Sequence, residues 1–147
     1  MAGGAIVIVN DRADIARLSG AAGVHIGQDD LAPAQARAVL GPNAVVGLST
    51  HTAEQVDRAL REPIDYLAVG PIFGTGTKAT GYEPVGVEAV REAAVKAAAQ
   101  HVPVVAIGGI TLERSRSVLE AGAGSVAVIS DLLSGGDPAA RVREFLD

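Results

Sequence analysis

VPVVAIGGITLERSRSVLEAGAGSVAVIS, Val102 to Ser130, holds one complete unit of the architecture. A β-branched run, VPVVAI (102–107), meets a glycine-rich turn, GGIT (108–111). A helical segment over about 113–121 follows, and a plain turn, AGAG (121–124), leads into a second run, SVAVI (125–129). Both runs are continuously apolar, as strands buried in parallel sheets are. Strand, helix and strand joined by short loops make a right-handed βαβ crossover.

The same unit recurs along the whole chain. Further strand runs are AIVIV (5–9), GVHI (23–26), AVVGL (44–48) and YLAVG (66–70). Helical segments follow the runs at roughly 13–20, 32–40, 52–61, 86–100, 113–121 and 138–146. In the third, Ala53, Val56, Ala59 and Leu60 share one face, with Glu54, Asp57, Arg58 and Arg61 largely on the other. Six alternations predict an α/β protein with parallel strands and one domain over 1–147. Six strands leave two architectures open: an open sheet, or a barrel short of two of its usual eight units.

Composition narrows the function. The chain has 147 residues, enough for a sizeable core. With 3% aromatic residues, that core must be built from Ala, Val, Ile and Leu. The absence of cysteine excludes disulfides and thiolate metal sites and fits a reducing cytoplasm. A net charge of −5 argues against a general nucleic-acid binder. No apolar run reaches the roughly 20 residues of a membrane span, and MAGGAIVIVNDR reads as a strand rather than a signal peptide.

Polar residues cluster after the strands, not before them. Asn10-Asp11, Gln28-Asp29-Asp30, Ser49-Thr50-His51, the long loop 71–85, Gly108–Thr111 and Ser130-Asp131 all follow strand runs. The turns entering strands, AAG, GPNA, EPID and AGAG, need only tight-turn residues. In parallel α/β folds the carboxyl end of the sheet carries the ligand site. The asymmetry therefore predicts a site there.

Asp11 and Asp30 stand on neighbouring strand ends. Two carboxylates so placed suit a Mg²⁺ that keeps several waters and binds substrate phosphates. Both residues also precede helices, where Asp is a common N-cap, so capping stays an open alternative. The loop GPIFGTGTKATGYEPVG (70–86) carries the hydroxyls of Thr75 and Thr77, backbone N–H groups beside Gly74 and Gly76, and Lys78, one of two lysines in the chain. Such a set holds phosphate or pyrophosphate, and loops beyond about 12 residues in compact domains are often functional. IGGIT (107–111) and VIS (128–130) end the last two strands, where eight-fold barrels often grip a phosphate. His51 has the chemistry for proton transfer, but most loop histidines of this kind bond to backbone. His25 and His101 read as structural.

In order, VNDRADIA, GVHIGQDDL, GLSTHT, DYLAVGPIFGTGTK, VVAIGGIT and AGAGSVAVIS resemble the motifs of the thiamine phosphate synthase family across essentially the whole chain. The resemblance implies a TIM-type (β/α)8 barrel, here incomplete with six of eight units. It also implies a Mg²⁺-dependent transferase. That enzyme joins hydroxymethylpyrimidine diphosphate to a thiazole phosphate and releases pyrophosphate, through carbocation character at the pyrimidine carbon. By position, Asp11 and Asp30 would bind Mg²⁺, Asn10 the pyrimidine diphosphate, and Ser49 and Lys78 the pyrophosphate. Thr75, Thr77, Gly109, Ile129 and Ser130 would surround the thiazole phosphate or the leaving group.

The family has two βα units before the VNDR strand, and the second carries Gln-x-Arg-x-Lys; neither stands in this sequence. The open strand edge at 5–9 then invites self-association. Two other readings belong beside the synthase: a thiazole tautomerase using His51, and a non-catalytic barrel binding a phosphate ligand. Retention of Asp11, Asp30 and Lys78 together favours the synthase. Its partners would be small molecules, with no nucleic acid and no membrane.

Overall fold

The computed structural model describes residues 4–74 and 81–147. Six strands alternate with helices: β1 Ile8–Asn10, α1 Ala13–Ser19, β2 Gly23–Ile26, α2 Pro33–Leu40, β3 Val45–Thr50, α3 Ala53–Ala59, β4 Tyr66–Val69, α4 Gly86–Ala98, β5 Val104–Ile107, α5 Leu112–Glu120 and β6 Ser125–Ala127. A four-residue helix, α6 (Ser130–Leu133), and α7 (Pro138–Leu146) complete the order. All strand pairs are parallel, and the sheet order is β1-β2-β3-β4-β5-β6.

That order excludes a doubly wound sheet. A doubly wound sheet reverses direction at a switch point. Here each strand pairs with the next, so right-handed crossovers place every connecting helix on one face. The result is a singly wound half-barrel.

The strands alternate more than their sequences suggest. Val24, Ile26, Val46, Leu48, Leu67, Val69, Val104 and Ala106 are buried in one cluster with Ala16, Ala36, Val56, Val90, Ala93 and Val118 of the helices. Each fully buried Val or Ile contributes about 1.5–3 kcal/mol. In register with one another on the opposite face lie Asn10, His25, Gly47 and Tyr66, and one level further Ser49, Ala68, Val105 and Ser125. His25, Ser49 and Tyr66 there are only half-buried. The apolar runs look continuous because small residues such as Gly47 and Ala68 occupy this second face.

The amino end of the sheet is tied down by Arg37. Its guanidinium donates to the carbonyls of Pro42, Ala44 and Pro63 and to Asp65 Oδ2 at 2.7 Å. That carboxylate also accepts from Val46 N at 2.7 Å. At the opposite edge, Asp131 Oδ2 joins Arg141 to Leu112 N and so fastens α6 and α7 to the start of α5.

β1 is shorter than the run 5–9 predicts. Val7 O accepts from Ala22 N, but strand geometry begins only at Ile8. As an edge strand β1 has one neighbour, and Ile6 is 73% exposed. Among the described residues no helix is long and apolar enough to cross a membrane.

Candidate active site

The carboxyl end of the sheet gathers the polar positions in the order of the strands. Asn10 ends β1, Asp11 follows it, and the turn 27–30 follows β2. Ser49 and His51 lie at the end of β3, Gly108 and Gly109 follow β5, and Ile129 leads into α6 at Ser130. Thr75, Thr77 and Lys78 lie outside the described residues; the loop that carries them leaves the sheet after β4, at the same end.

Neither aspartate caps a helix. Arg12 occupies the N-cap of α1 and Ala32 that of α2, neither with a side-chain cap bond. Asp29 therefore caps nothing in α2 either. Asp11 has φ of 63°, a left-handed conformation that Asp tolerates better than most residues. Its N–H donates to His25 O at 2.7 Å, which couples the β1 and β2 loop ends. Asp30 closes its own turn: Oδ2 accepts from Gly27 N at 2.7 Å. The capping alternative thus fails because α2 starts three residues beyond Asp30, at Pro33.

Two hard carboxylates on the ends of adjacent strands fit a Mg²⁺ that retains most of its waters. Among the described residues no three His, Cys, Asp or Glu side chains group to hold a metal.

Ser49 is held from several sides. Its hydroxyl lies 2.7 Å from His25 Nε2, and its carbonyl accepts from Gln28 Nε2 at 2.7 Å. His25 Nδ1 lies 2.8 Å from the Tyr66 hydroxyl. Burial raises the Tyr66 pKa, so the phenol keeps its proton at neutral pH. His25 thus bonds to Ser49, a residue expected in the site, as well as to Tyr66. Its sequence setting concealed this, since within GVHI it looks like one polar residue in a buried strand. The signal lay in parity: His25 shares its face with Asn10 and Ser49.

His51 behaves as a loop anchor. Its Nδ1 meets Gly70 O at 2.5 Å, its ring stacks on Tyr82 at 3.9 Å, and its N–H donates to Gln55 Oε1. Thr52 caps α3 by accepting from Gln55 N, a bond that contributes about 1 kcal/mol. His101, exposed and left-handed at φ 57°, ends the turn after α4.

The β5 loop packs against the root of the long loop. Ile72 N and Phe73 N donate to Ile107 O and Gly108 O. Gly109 has φ of 62°, and a Cβ there would fall 2.6 Å from Gly74 O. Only glycine permits that approach. Gly109 O in turn accepts from Arg114, whose guanidinium lies 4.8 Å from the centre of the Phe73 ring. Ser130 begins α6, and Ile129 is 55% exposed beside it.

Known proteins resemble the chain in sequence and fold. The family model described as thiamine monophosphate synthase matches residues 1–132. The thiamine-phosphate synthase of Koribacter versatilis (strain Ellin345) is 52% identical over 140 residues, covering 95% of this chain and 64% of that protein. That of Chlorobium luteolum is 44% identical, covering 97% of this chain and 66% of that one. Among solved structures, thiamine phosphate pyrophosphorylase from Pyrococcus furiosus superposes with a TM-score of 0.85 at 32% identity, over 97% of this chain and 66% of that one. The chain spans just under two thirds of the length of these relatives. With its motifs in order on a matching sheet, the chain belongs to the thiamine monophosphate synthase family.

Proposed function

We propose that the chain serves thiamine phosphate synthesis: a Mg²⁺-dependent transfer joining hydroxymethylpyrimidine diphosphate to a thiazole phosphate, with release of pyrophosphate. The observation that carries this reading is the gathering of Asn10, Asp11, Asp30, Ser49, Gly109, Ile129 and Ser130 at one end of a sequentially ordered sheet. The loop with Thr75, Thr77 and Lys78 leaves that same end.

The reaction needs no protein nucleophile. As the pyrimidine carbon–oxygen bond breaks, negative charge grows on the departing pyrophosphate. Groups aimed at that charge stabilise the transition state more than the ground state. Lys78 supplies an ammonium and Ser49 a hydroxyl donor toward the diphosphate, with Asn10 on the pyrimidine substrate. Thr75, Thr77, Gly109, Ile129 and Ser130 hold the thiazole phosphate or leaving group with hydroxyl and backbone donors. Asp11 and Asp30 would hold Mg²⁺, which when bound neutralises diphosphate charge. The six units correspond to six of the eight of a closed barrel, supported by the two-thirds coverage of the Pyrococcus fold. Cysteine-free composition supports a cytoplasmic setting.

The test is formation of thiamine phosphate from both substrates. Product is expected with Mg²⁺ and its loss is expected with excess chelator. Absence of product together with absence of pyrophosphate binding would overturn the reading. Thiazole isomerisation lost in His51→Ala would instead favour the tautomerase, and thiazole phosphate binding without turnover the non-catalytic barrel.

The open sides of the sheet should also associate. Ile6 on the β1 side is 73% exposed, and Leu133 and Leu146 beyond β6 are 67% and 80% exposed. Unpaired edges with apolar flanks template pairing. Sedimentation of the 147-residue chain is expected to show concentration-dependent oligomers; a clean monomer at all concentrations would contradict this.

A further inference from the structure

Tyr66, His25 and Ser49 form a line across three adjacent strands on the face that the helices leave uncovered. His25 of β2 and Tyr66 of β4 share a register level, with Gly47 of β3 between them. A Cβ on Gly47 would fall 2.0 Å from Tyr66 Cζ and 2.4 Å from its oxygen. Glycine at 47 is what lets the phenol cross β3 and reach His25 Nδ1 at 2.8 Å. The rings of His25 and Tyr66 lie nearly parallel, 22° apart, with centres 5.5 Å apart. The other ring nitrogen, Nε2, meets Ser49 Oγ at 2.7 Å, one residue pair further along the face.

We infer that His25 is a positioning residue: Tyr66 donates its phenolic proton to Nδ1, Nε2–H donates to Ser49 Oγ, and the Ser49 proton is thereby directed outward to an anionic oxygen of the bound diphosphate. The inference rests on the reading of the site as a diphosphate site.

With a neutral imidazole, proton counting leaves two directions for these three groups. In the other, Ser49 donates to Nε2, Nδ1–H donates to Tyr66, and Ser49 has no proton for a ligand. The phenol is far more acidic than an aliphatic hydroxyl, and its oxygen is the poorer acceptor because its lone pair is shared with the ring. Imidazole Nδ1 is therefore the better acceptor of the pair, which sets the direction from Tyr66 toward Ser49. The partner of one ring nitrogen selects which nitrogen carries the proton. In a half-buried chain each donor also polarises the next. Buried hydroxyl networks of this kind fix one geometry where a lone serine rotor would sample three.

Two measurements decide the matter. The imidazole ¹⁵N signals of His25 at neutral pH should report a proton on Nε2 and none on Nδ1, with the pattern disturbed in Tyr66→Phe. A proton on Nδ1, alone or with Nε2 also protonated, overturns the inference whatever the activity. Calorimetric titration with inorganic pyrophosphate and Mg²⁺ should show wild-type binding, about tenfold weaker binding in His25→Leu, and recovery in His25→Gln, whose amide can donate to Ser49. Equal affinity in wild type and His25→Leu overturns the inference and leaves the diphosphate reading standing. No binding by the wild type overturns both. Should His25→Leu fail to fold, Tyr66→Phe takes its place in the titration, since it removes one oxygen and keeps the ring packing. An unchanged affinity together with an undisturbed ¹⁵N pattern in Tyr66→Phe then counts against the relay.

Discussion

Lys78→Ala is expected to lower turnover about 100- to 1,000-fold, the usual loss when one donor aimed at developing negative charge is removed. In the proposed reaction the departing pyrophosphate gains charge only as the bond breaks, so the loss should fall on kcat more than on KM. No other lysine can substitute. The second one, Lys96, sits on α4 and is bonded to Asp57 of α3 at 2.6 Å. The loop bearing Lys78 is anchored at its root by Ile72 N and Phe73 N on the β5 end, so its first residues are held beside Gly108 and Gly109. Lys78→Arg should keep part of the rate, since it keeps the charge but changes its shape. Steady-state formation of thiamine phosphate measures both variants, and unchanged turnover in Lys78→Ala would remove the residue from the mechanism.

Gly23→Ala should produce the largest loss of stability, about 3 kcal/mol. A Cβ at this position would lie 1.9 Å from Val45 O and 2.6 Å from Val45 C, both main-chain atoms of the neighbouring strand. Relief requires β2 and β3 to move apart at Gly23↔Val45, next to the Val45 N to Ala22 O bond of 2.9 Å. For a chain of this length that loss lowers Tm by roughly 6–12 °C. Gly47→Ala makes an informative comparison. Its clash, 2.0 Å, is with the end of the Tyr66 side chain, which can swing aside. Thermal unfolding of the two variants should separate them. Equal melting temperatures for Gly23→Ala and wild type would show that the sheet yields there at little cost.

Much of this site was legible because its residues are punctuation. Asp11, Asp30, Ser49, Gly109 and Ser130 follow apolar runs, and strand ends in a parallel fold lie at one edge. What stayed hidden was local competition for each side chain. Both aspartates sit where N-caps are common, yet the helices begin at Ala13 and Pro33, too late for either to cap. His25 lay inside an apparently apolar strand, so its polar partners on β3 and β4 could not be named from GVHI alone. Arg37 was likewise unremarkable as one charge on an amphipathic helix, although its guanidinium binds three backbone carbonyls and Asp65.

By itself the sequence determined the βα alternation, the end of the sheet where the polar positions gather, and the family. Each depends on periodicity and on residue types at strand ends, which are local along the chain. The tertiary structure decided the strand order, and with it a singly wound half-barrel over a doubly wound sheet. It also decided that Tyr66, His25 and Ser49 meet. Those outcomes depend on which strands become neighbours and in what register. A contact between residues 25 and 66 crosses 41 positions of chain, and only the pairing of β2 with β3 and β3 with β4 brings them together.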